Sequence, residues 1–242
     1  MRMREPFEAY FDDFYKVNIY KSNNFFGGKS RFYHLKDSRD RIIELDLVTR
    51  SELPNGYVHS VLTPREPIEV GEEYYVYDEH CQKTPAVYSN ITKTPKFASD
   101  YDFDGELGPV YSKEAVVFRL WAPTAHRIIV SLRQGSRSVS QELERKLNGV
   151  FEASIPGDWN EARYSFMIRC NGKWQESVDP YSFFGGINGK YSIVVDPSTL
   201  NLPDRIPLPP LESNTDAIIY EASVRDMTSA NNIGVQHPST FR

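Results

Sequence analysis

The sequence predicts an all-β chain of sandwich type, and three observations carry that prediction. Aromatic residues make up 13% of the 242 residues, with 15 Tyr and 14 Phe, a bias that suits pleated, half-buried strands. Sixteen Pro and 14 Gly supply turns at short intervals. Between those turns apolar and polar residues alternate in short runs, and no segment sustains a helical period with start and stop signals.

Taken in order, the chain holds at most short helical turns, near residues 8–15. Strands are predicted at residues 42–48, 57–62 and 74–77, with Pro54-Asn55-Gly56 as the turn between the first two. In Ala115–Trp121, Val116, Phe118 and Leu120 fall on one face. Further strands are predicted at 127–132, 150–155, 163–169 and 191–195, separated by Asn148-Gly149, Pro156-Gly157 and Asn171-Gly172. The composition shifts near residue 100: Trp121, Trp159 and Trp174 all follow it, and the acidic, turn-rich stretch 99–105 reads as a boundary. Residues 202–210 are proline-dense and read as a stiff extended linker, because proline cannot donate to a central ladder. The apolar run from Ala217 to Tyr220 then resembles a strand buried on both faces. The stretch from Asp216 to Arg242 is too short to make a domain.

Charge and cysteine usage exclude several classes. There are 28 basic and 33 acidic side chains, a net charge of −5, which gives no footprint for nucleic acid or an anionic membrane. No run approaches the roughly 18 apolar residues of a spanning helix. Glu5, Glu8, Asp12 and Asp13 stand where a signal peptide needs an apolar stretch, so a cytoplasmic location is predicted. Cys81 and Cys170 are read as reduced and structural, and the Asn90-Ile91-Thr92 sequon carries no meaning in a chain that is not exported.

Asp100, Asp102 and Asp104 with Gly105 copy the opening of a calcium loop, but Tyr111 stands at its twelfth position, so a solvated acidic turn is predicted and no metal. Residues 185–190 are glycine-rich without the spacing of a phosphate loop and read as a hairpin turn. His34, His59, His80, His126 and His237 are scattered, and no nucleophile elbow exists. Glu142, Glu144, Arg145 and Lys146 read as a solvated face. Trp174 follows a turn at the start of a strand, where a flat indole can stack on a sugar ring. Packing on its own hairpin or on a neighbouring domain is the alternative. Trp121 ends a core-type strand and is read as packing.

Four segments carry a family resemblance: 101–108 (Tyr-Asp-Phe-Asp-Gly-Glu-Leu-Gly), 117–125 (Val-Phe-Arg-Leu-Trp-Ala-Pro-Thr-Ala), 174–181 (Trp-Gln-Glu-Ser-Val-Asp-Pro-Tyr) and 216–221 with Val224-Arg225-Asp226. In order and spacing they resemble the N-terminal half of bacterial type I pullulanases, debranching enzymes of the α-amylase superfamily. Phe7-Glu8-Ala9-Tyr10 with Asp12-Asp13 is similar to that family's amino terminus, and residues 20–95 match it loosely.

The resemblance implies two consecutive immunoglobulin-like β-sandwich domains followed by the first strand of a truncated (β/α)8 barrel. Residues 1–97 would be an accessory β domain, 98–200 a starch- or glycogen-binding-type module, 201–215 a proline-rich linker and 216–242 the start of the barrel. It implies an α-glucan partner (pullulan, glycogen or maltooligosaccharides), together with the missing barrel, and no cofactor. The alternative is a free-standing α-glucan-binding or protein-interaction β-sandwich protein without hydrolase activity, and the apolar run from Ala217 to Tyr220 would then seek a docking protein. Trp174 would be the carbohydrate-binding residue. In glycogen-binding relatives a lysine and a second tryptophan join it; here Ser165 stands in the lysine's place and Arg133-Gln134-Gly135-Ser136 in the other tryptophan's loop. Ser223 stands where the family's first barrel strand usually carries histidine. Glycoside hydrolysis needs two carboxyl groups flanking the scissile bond. The resemblance places them beyond Arg242, so no catalytic residue is assigned, and Glu221 and Asp226 are read as structural.

Overall fold

In the computed structural model the described residues are 7–200, 211, 213–229 and 233–240. The chain divides into two compact units, Met1–Leu200 and Asn201–Arg242. The first contains two hydrophobic cores, one for each of two β modules.

The first core forms because alternate residues turn inward on seven strands: β1 (Phe7–Asp13), β2 (Lys16–Ser22), β3 (Tyr33–Asp37), β4 (Ile42–Glu52), β5 (Tyr57–Pro64), β6 (Tyr74–Asp78) and β7 (Lys83–Tyr88). The pairing order is β1-β2-β5-β4-β3-β6-β7, and a parallel contact of β1 with β7 (Ala9↔Ala86, Phe11↔Tyr88) closes it into a barrel. This corrects the sandwich expected for the first module. Sandwich and barrel strands both bury alternate residues, so the pattern alone does not separate them; the β1–β7 contact does, and it removes both sheet edges. The helical turns expected at residues 8–15 are also corrected. Phe7, Ala9 and Phe11 are buried while Glu8 is exposed, a period of two that fits a strand.

Lys21 lies on β2 among core residues, fully buried, with Nζ 2.5 Å from Asp78 Oδ2 and 3.1 Å from Ser30 Oγ. Asp78 Oδ1 also accepts the backbone N–H groups of His80 and Gln82, which locks the β6–β7 hairpin. Asp37 does the same for β3–β4, accepting from the N–H groups of Arg39 and Arg41 and from Arg41 Nε. Burial pushes both carboxyls up. The hydrogen bonds and the neighbouring Lys21 and Arg41 charges outweigh it, and both end below the usual carboxylate range. Depressed folded values stabilise the native state above the unfolded pKa of about 4, and that stability drains away as pH falls through the folded values. The urea midpoint is therefore expected to drop between pH 5 and pH 3, and a flat profile there would contradict this account.

A short connector joins the modules. Pro95 opens helix α1 (Pro95–Asp100), Thr94 Oγ1 caps it by accepting from Phe97 N at 3.2 Å, and Phe97 inserts into the barrel core.

The second module is a β-sandwich. Its strands are β8 (Gly108–Tyr111), β9 (Ala115–Trp121), β10 (Arg127–Gln134), β11 (Arg137–Glu142), β12 (Glu144–Arg145), β13 (Val150–Pro156), β14 (Arg163–Cys170), β15 (Lys173–Ser177), β16 (Phe184–Gly185) and β17 (Ser192–Ile193). One sheet runs β11-β10-β14-β17-β16 with β15 on β14, and the other runs β12-β13-β9-β8. Val116, Phe118 and Leu120 of β9 meet Ile128, Val130 and Leu132 of β10 and Tyr164 and Phe166 of β14 in the core.

Of the solvated face expected from Glu142, Glu144, Arg145 and Lys146, three are exposed and Arg145 is the correction. Its guanidinium donates to the carbonyls of Pro123 (2.8 Å) and Ala125 (3.0 Å) in the sandwich and of Val70 (3.1 Å) in the barrel. Gly71 lets this approach happen: its φ is +94°, and a Cβ there would sit 2.5 Å from Arg145 Nη1. Arg169 pairs with Glu73 at 2.7 Å, and Tyr88 N donates to Asn171 Oδ1 at 3.1 Å. The two modules are thus joined through side-chain contacts as well as through the connector.

In the second unit, Ser223 Oγ accepts from Asp226 N at the start of α2 (Val224–Thr228). The strand expected at 216–221 is absent: Ile218 is 98% and Ile219 88% exposed, with no ladder partner. A doubly buried strand takes its hydrogen bonds from neighbours on both sides, and the described residues offer it none. The proline-dense linker at 202–210, the first six residues and Arg242 lie outside the described residues.

Candidate functional site

The outward face of the larger sheet in the second module is built by strand alternation. Because Ile128, Val130 and Leu132 turn inward, Arg127, Ile129, Ser131 and Arg133 turn outward on β10; on β14, Arg169, Met167, Ser165 and Arg163 lie directly opposite them. β15 adds Trp174 beside Arg169 and Glu176 beside Met167, and β11 adds Glu142, Ser140 and Ser138 on the other side. The rows extend over seven residues of β14, Arg163 to Arg169, roughly 20 Å.

Trp174 stands at one corner. The hairpin before it turns through Asn171 and Gly172, both with positive φ, and delivers the indole to the surface 37% exposed. The guanidinium groups of Arg127 and Arg169 each lie 5.8 Å from its ring centroid. Arg127 is neutralised by Glu142 (2.6 and 2.7 Å) and Arg169 by Glu73, so the ring rests on two arginines that are themselves fixed. Trp174 thus packs on its own sheet and keeps part of its ring open.

The middle of the face is a mild mixture of apolar and hydroxyl groups. Ile129 and Met167 are half-buried, Ser131 and Ser140 Oγ lie 3.0 Å apart, and Ser165 Oγ donates to Glu176 Oε1 at 2.7 Å. At the far end Arg163 covers the Tyr191 ring at 4.7 Å, next to Phe184 on β16. Behind the face, Asp179 of the Val178-Asp179-Pro180 run is buried. It accepts from Tyr164 Oη (2.8 Å) and Tyr181 N (2.8 Å), while its own N–H donates to Ser192 Oγ. Burial pushes the Asp179 carboxyl and the Tyr164 hydroxyl up. This cluster ties β14, β17 and the loop after β15 together, and so fixes the platform from beneath.

The other predicted features lie elsewhere. Trp121 packs at the module joint, its Nε1 donating to Tyr101 O at 2.9 Å. In the acidic stretch, Asp100 pairs with Lys96, and the Asp102 carbonyl accepts from Asn148 Nδ2. Among the described residues no three His, Cys, Asp or Glu side chains are grouped to hold a metal. The glycine-rich stretch is the β16–β17 hairpin. His34, His59 and His80 stack on Tyr77, Tyr20 and Phe26 respectively, His126 sits at the joint, and the four are not brought together. Cys81 is exposed, and Cys170 donates to Thr124 O with burial pushing its thiol up; neither forms a disulfide. Glu221 and Asp226 are exposed. No helix among the described residues is long and apolar enough to cross a membrane. Sequence reasoning missed Ile129, Ser131, Ser140, Met167, Arg163 and Tyr191 as parts of one surface. Their two-residue period carried the signal, and only the β10–β14 register brings the two sets side by side.

Two family descriptions match this chain: "Pullulanase N1-terminal domain" over residues 7–92, and "Carbohydrate-binding module 48 (Isoamylase N-terminal domain)" over residues 106–182. The chain is 29% identical over 236 residues to a curated pullulanase of Bacillus subtilis (strain 168), covering 96% of this chain and 32% of the relative. The solved type I pullulanase of that organism, complexed with maltose, superposes with a TM-score of 0.77 at 27% identity, over 96% of this chain and 32% of that one. The pullulanase of Anoxybacillus sp. LM18-11 complexed with maltotriose gives 0.77 at 28% identity, over 96% of this chain and 34% of that one. The chain thus spans about a third of the length of the relatives it matches. In these two modules, in this order, the chain is similar to the N-terminal region of type I pullulanases.

Proposed function

We propose that this chain is the accessory, α-glucan-binding part of a pullulanase-type debranching hydrolase that cleaves α-1,6 branch linkages in pullulan, glycogen or limit dextrins. The observation that carries the reading is the outward sheet face with Trp174 at its corner, lying within the stretch matched as a carbohydrate-binding module. A half-open indole beside a flat strip of Met, Ile and Ser side chains suits a glucan, which offers apolar ring faces and rows of hydroxyls. The maltose and maltotriose complexes of the solved relatives support the ligand class.

In this reading residues 1–97 form the accessory β domain, 98–200 the immunoglobulin-like glucan module, 201–215 the linker and 216–242 the opening of a catalytic (β/α)8 barrel. The exposed Ile218 and Ile219 become a strand only when barrel neighbours pair with them. The two carboxyl groups that hydrolysis demands belong to that barrel. The working compartment is the cytoplasm, where Cys81 and Cys170 stay reduced.

Titration calorimetry of this chain with maltoheptaose tests the reading. Binding is expected, and Trp174→Ala is expected to weaken it about tenfold, the loss of an aromatic contact worth about 1.5 kcal/mol. No reducing ends are expected from pullulan. Undiminished binding by Trp174→Ala would remove the indole from the site, and hydrolysis by this chain would refute its accessory role.

A further inference from the structure

The far end of the platform carries an electrostatic feature that glucan binding alone does not explain. Arg133 and Arg163 lie directly opposite each other in the β10–β14 ladder, both exposed on the outward face. Like charges in directly opposed positions destabilise a sheet. The same face neutralises its other arginines: Arg127 pairs with Glu142 and Arg169 with Glu73. Neither Arg133 nor Arg163 has a carboxylate within ion-pair distance or a side-chain hydrogen bond among the described residues. Arg163 is instead held over the Tyr191 ring at 4.7 Å, which orients its guanidinium while leaving its N–H donors open. Arg133 is flanked on its other side by Ser138, a further hydroxyl donor. Two unpaired guanidinium groups and a hydroxyl on the surface of a chain with a net charge of −5 make a local anion-binding spot.

This spot lies in line with Trp174 and six residues away from the Arg169 row, roughly 20 Å along β14. We infer that the platform prefers an α-glucan carrying a phosphate monoester, with a sugar ring on Trp174 and the phosphate of a distant glucose held between Arg133 and Arg163. The inference rests on the reading of this face as a glucan platform. It adds a second, charged anchor, and the row of Ser131, Ser140 and Ser165 hydroxyls lies between the two anchors. A phosphate offers acceptor oxygens that match the donor forks of two arginines, which the neutral hydroxyls of an unmodified glucan do not.

The test compares maltoheptaose with maltoheptaose bearing a phosphate on one C6 hydroxyl, each titrated into this chain by calorimetry. The phosphorylated ligand is expected to bind about five- to tenfold more tightly. That advantage is expected to shrink as salt is raised and to vanish in the Arg133→Gln/Arg163→Gln double variant. Because both arginines are exposed and repel each other, the variant is expected to keep or raise the urea midpoint, so loss of preference cannot be ascribed to unfolding. Trp174→Ala is expected to weaken both ligands alike. Equal affinity for the two ligands, or a preference that survives in the double variant, would overturn the inference and leave the glucan platform standing. Binding of neither ligand would overturn both.

Discussion

Asp78→Ala is expected to lower the unfolding free energy of the barrel by about 3–5 kcal/mol, read as a shift of the urea midpoint at unchanged slope. The substitution strands the Lys21 ammonium in the barrel core, where both partners of the pair are fully buried. It also frees the His80 and Gln82 N–H groups that shape the β6–β7 hairpin. Lys21→Met should cost less, because Asp78 keeps those backbone donors and Ser30. The double variant Lys21→Met/Asp78→Leu should recover part of the loss, since replacing a buried pair by apolar groups is often close to neutral. If Asp78→Ala shifts the midpoint by less than about 1 kcal/mol, water reaches the pair and the described burial is wrong.

Arg145→Ala is expected to loosen the module joint. The three carbonyls it serves, Pro123, Ala125 and Val70, lose a charged donor, and Phe151 loses the guanidinium that covers its ring at 5.2 Å. Because water can replace part of these bonds in a half-buried site, the expected loss is about 2–3 kcal/mol. The sharper readout is cooperativity. With the joint intact, barrel and sandwich are expected to unfold in one transition; without it, fluorescence from the tryptophans, all of which lie after residue 100, should separate from circular dichroism of the whole chain. Coincident transitions in the variant would show that Glu73–Arg169 and the connector suffice.

The sequence made the strand content legible because most buried faces alternate cleanly: Ala115–Trp121 is a strand with the predicted bounds, and the strand beginning at Arg163 runs one residue further than predicted. Closure of the barrel was not legible, since it depends on a parallel contact between residues more than 70 positions apart. β2 was missed because Lys21 occupies a core position, which breaks the apolar alternation, and its counter-ion lies 57 residues away. Arg145 looked like part of a solvated charge run for the same reason: its partners are backbone carbonyls, which leave no signature in sequence. Trp174 stood out because a turn and an aromatic residue are adjacent in the chain. The rest of its surface was not, because Met167, Ser131 and Tyr191 become neighbours only through strand register.

The most direct test of the central claim, that the outward face of the β10–β14–β15 sheet binds α-glucan, is an NMR titration of this chain with maltoheptaose. Shifts are expected to concentrate on Trp174, Met167, Ser165 and Tyr191, and to leave the barrel and the β8–β9–β13 sheet unmoved. Shifts that cluster on those other surfaces, or a saturating titration that leaves the Trp174 indole N–H unmoved, would contradict it.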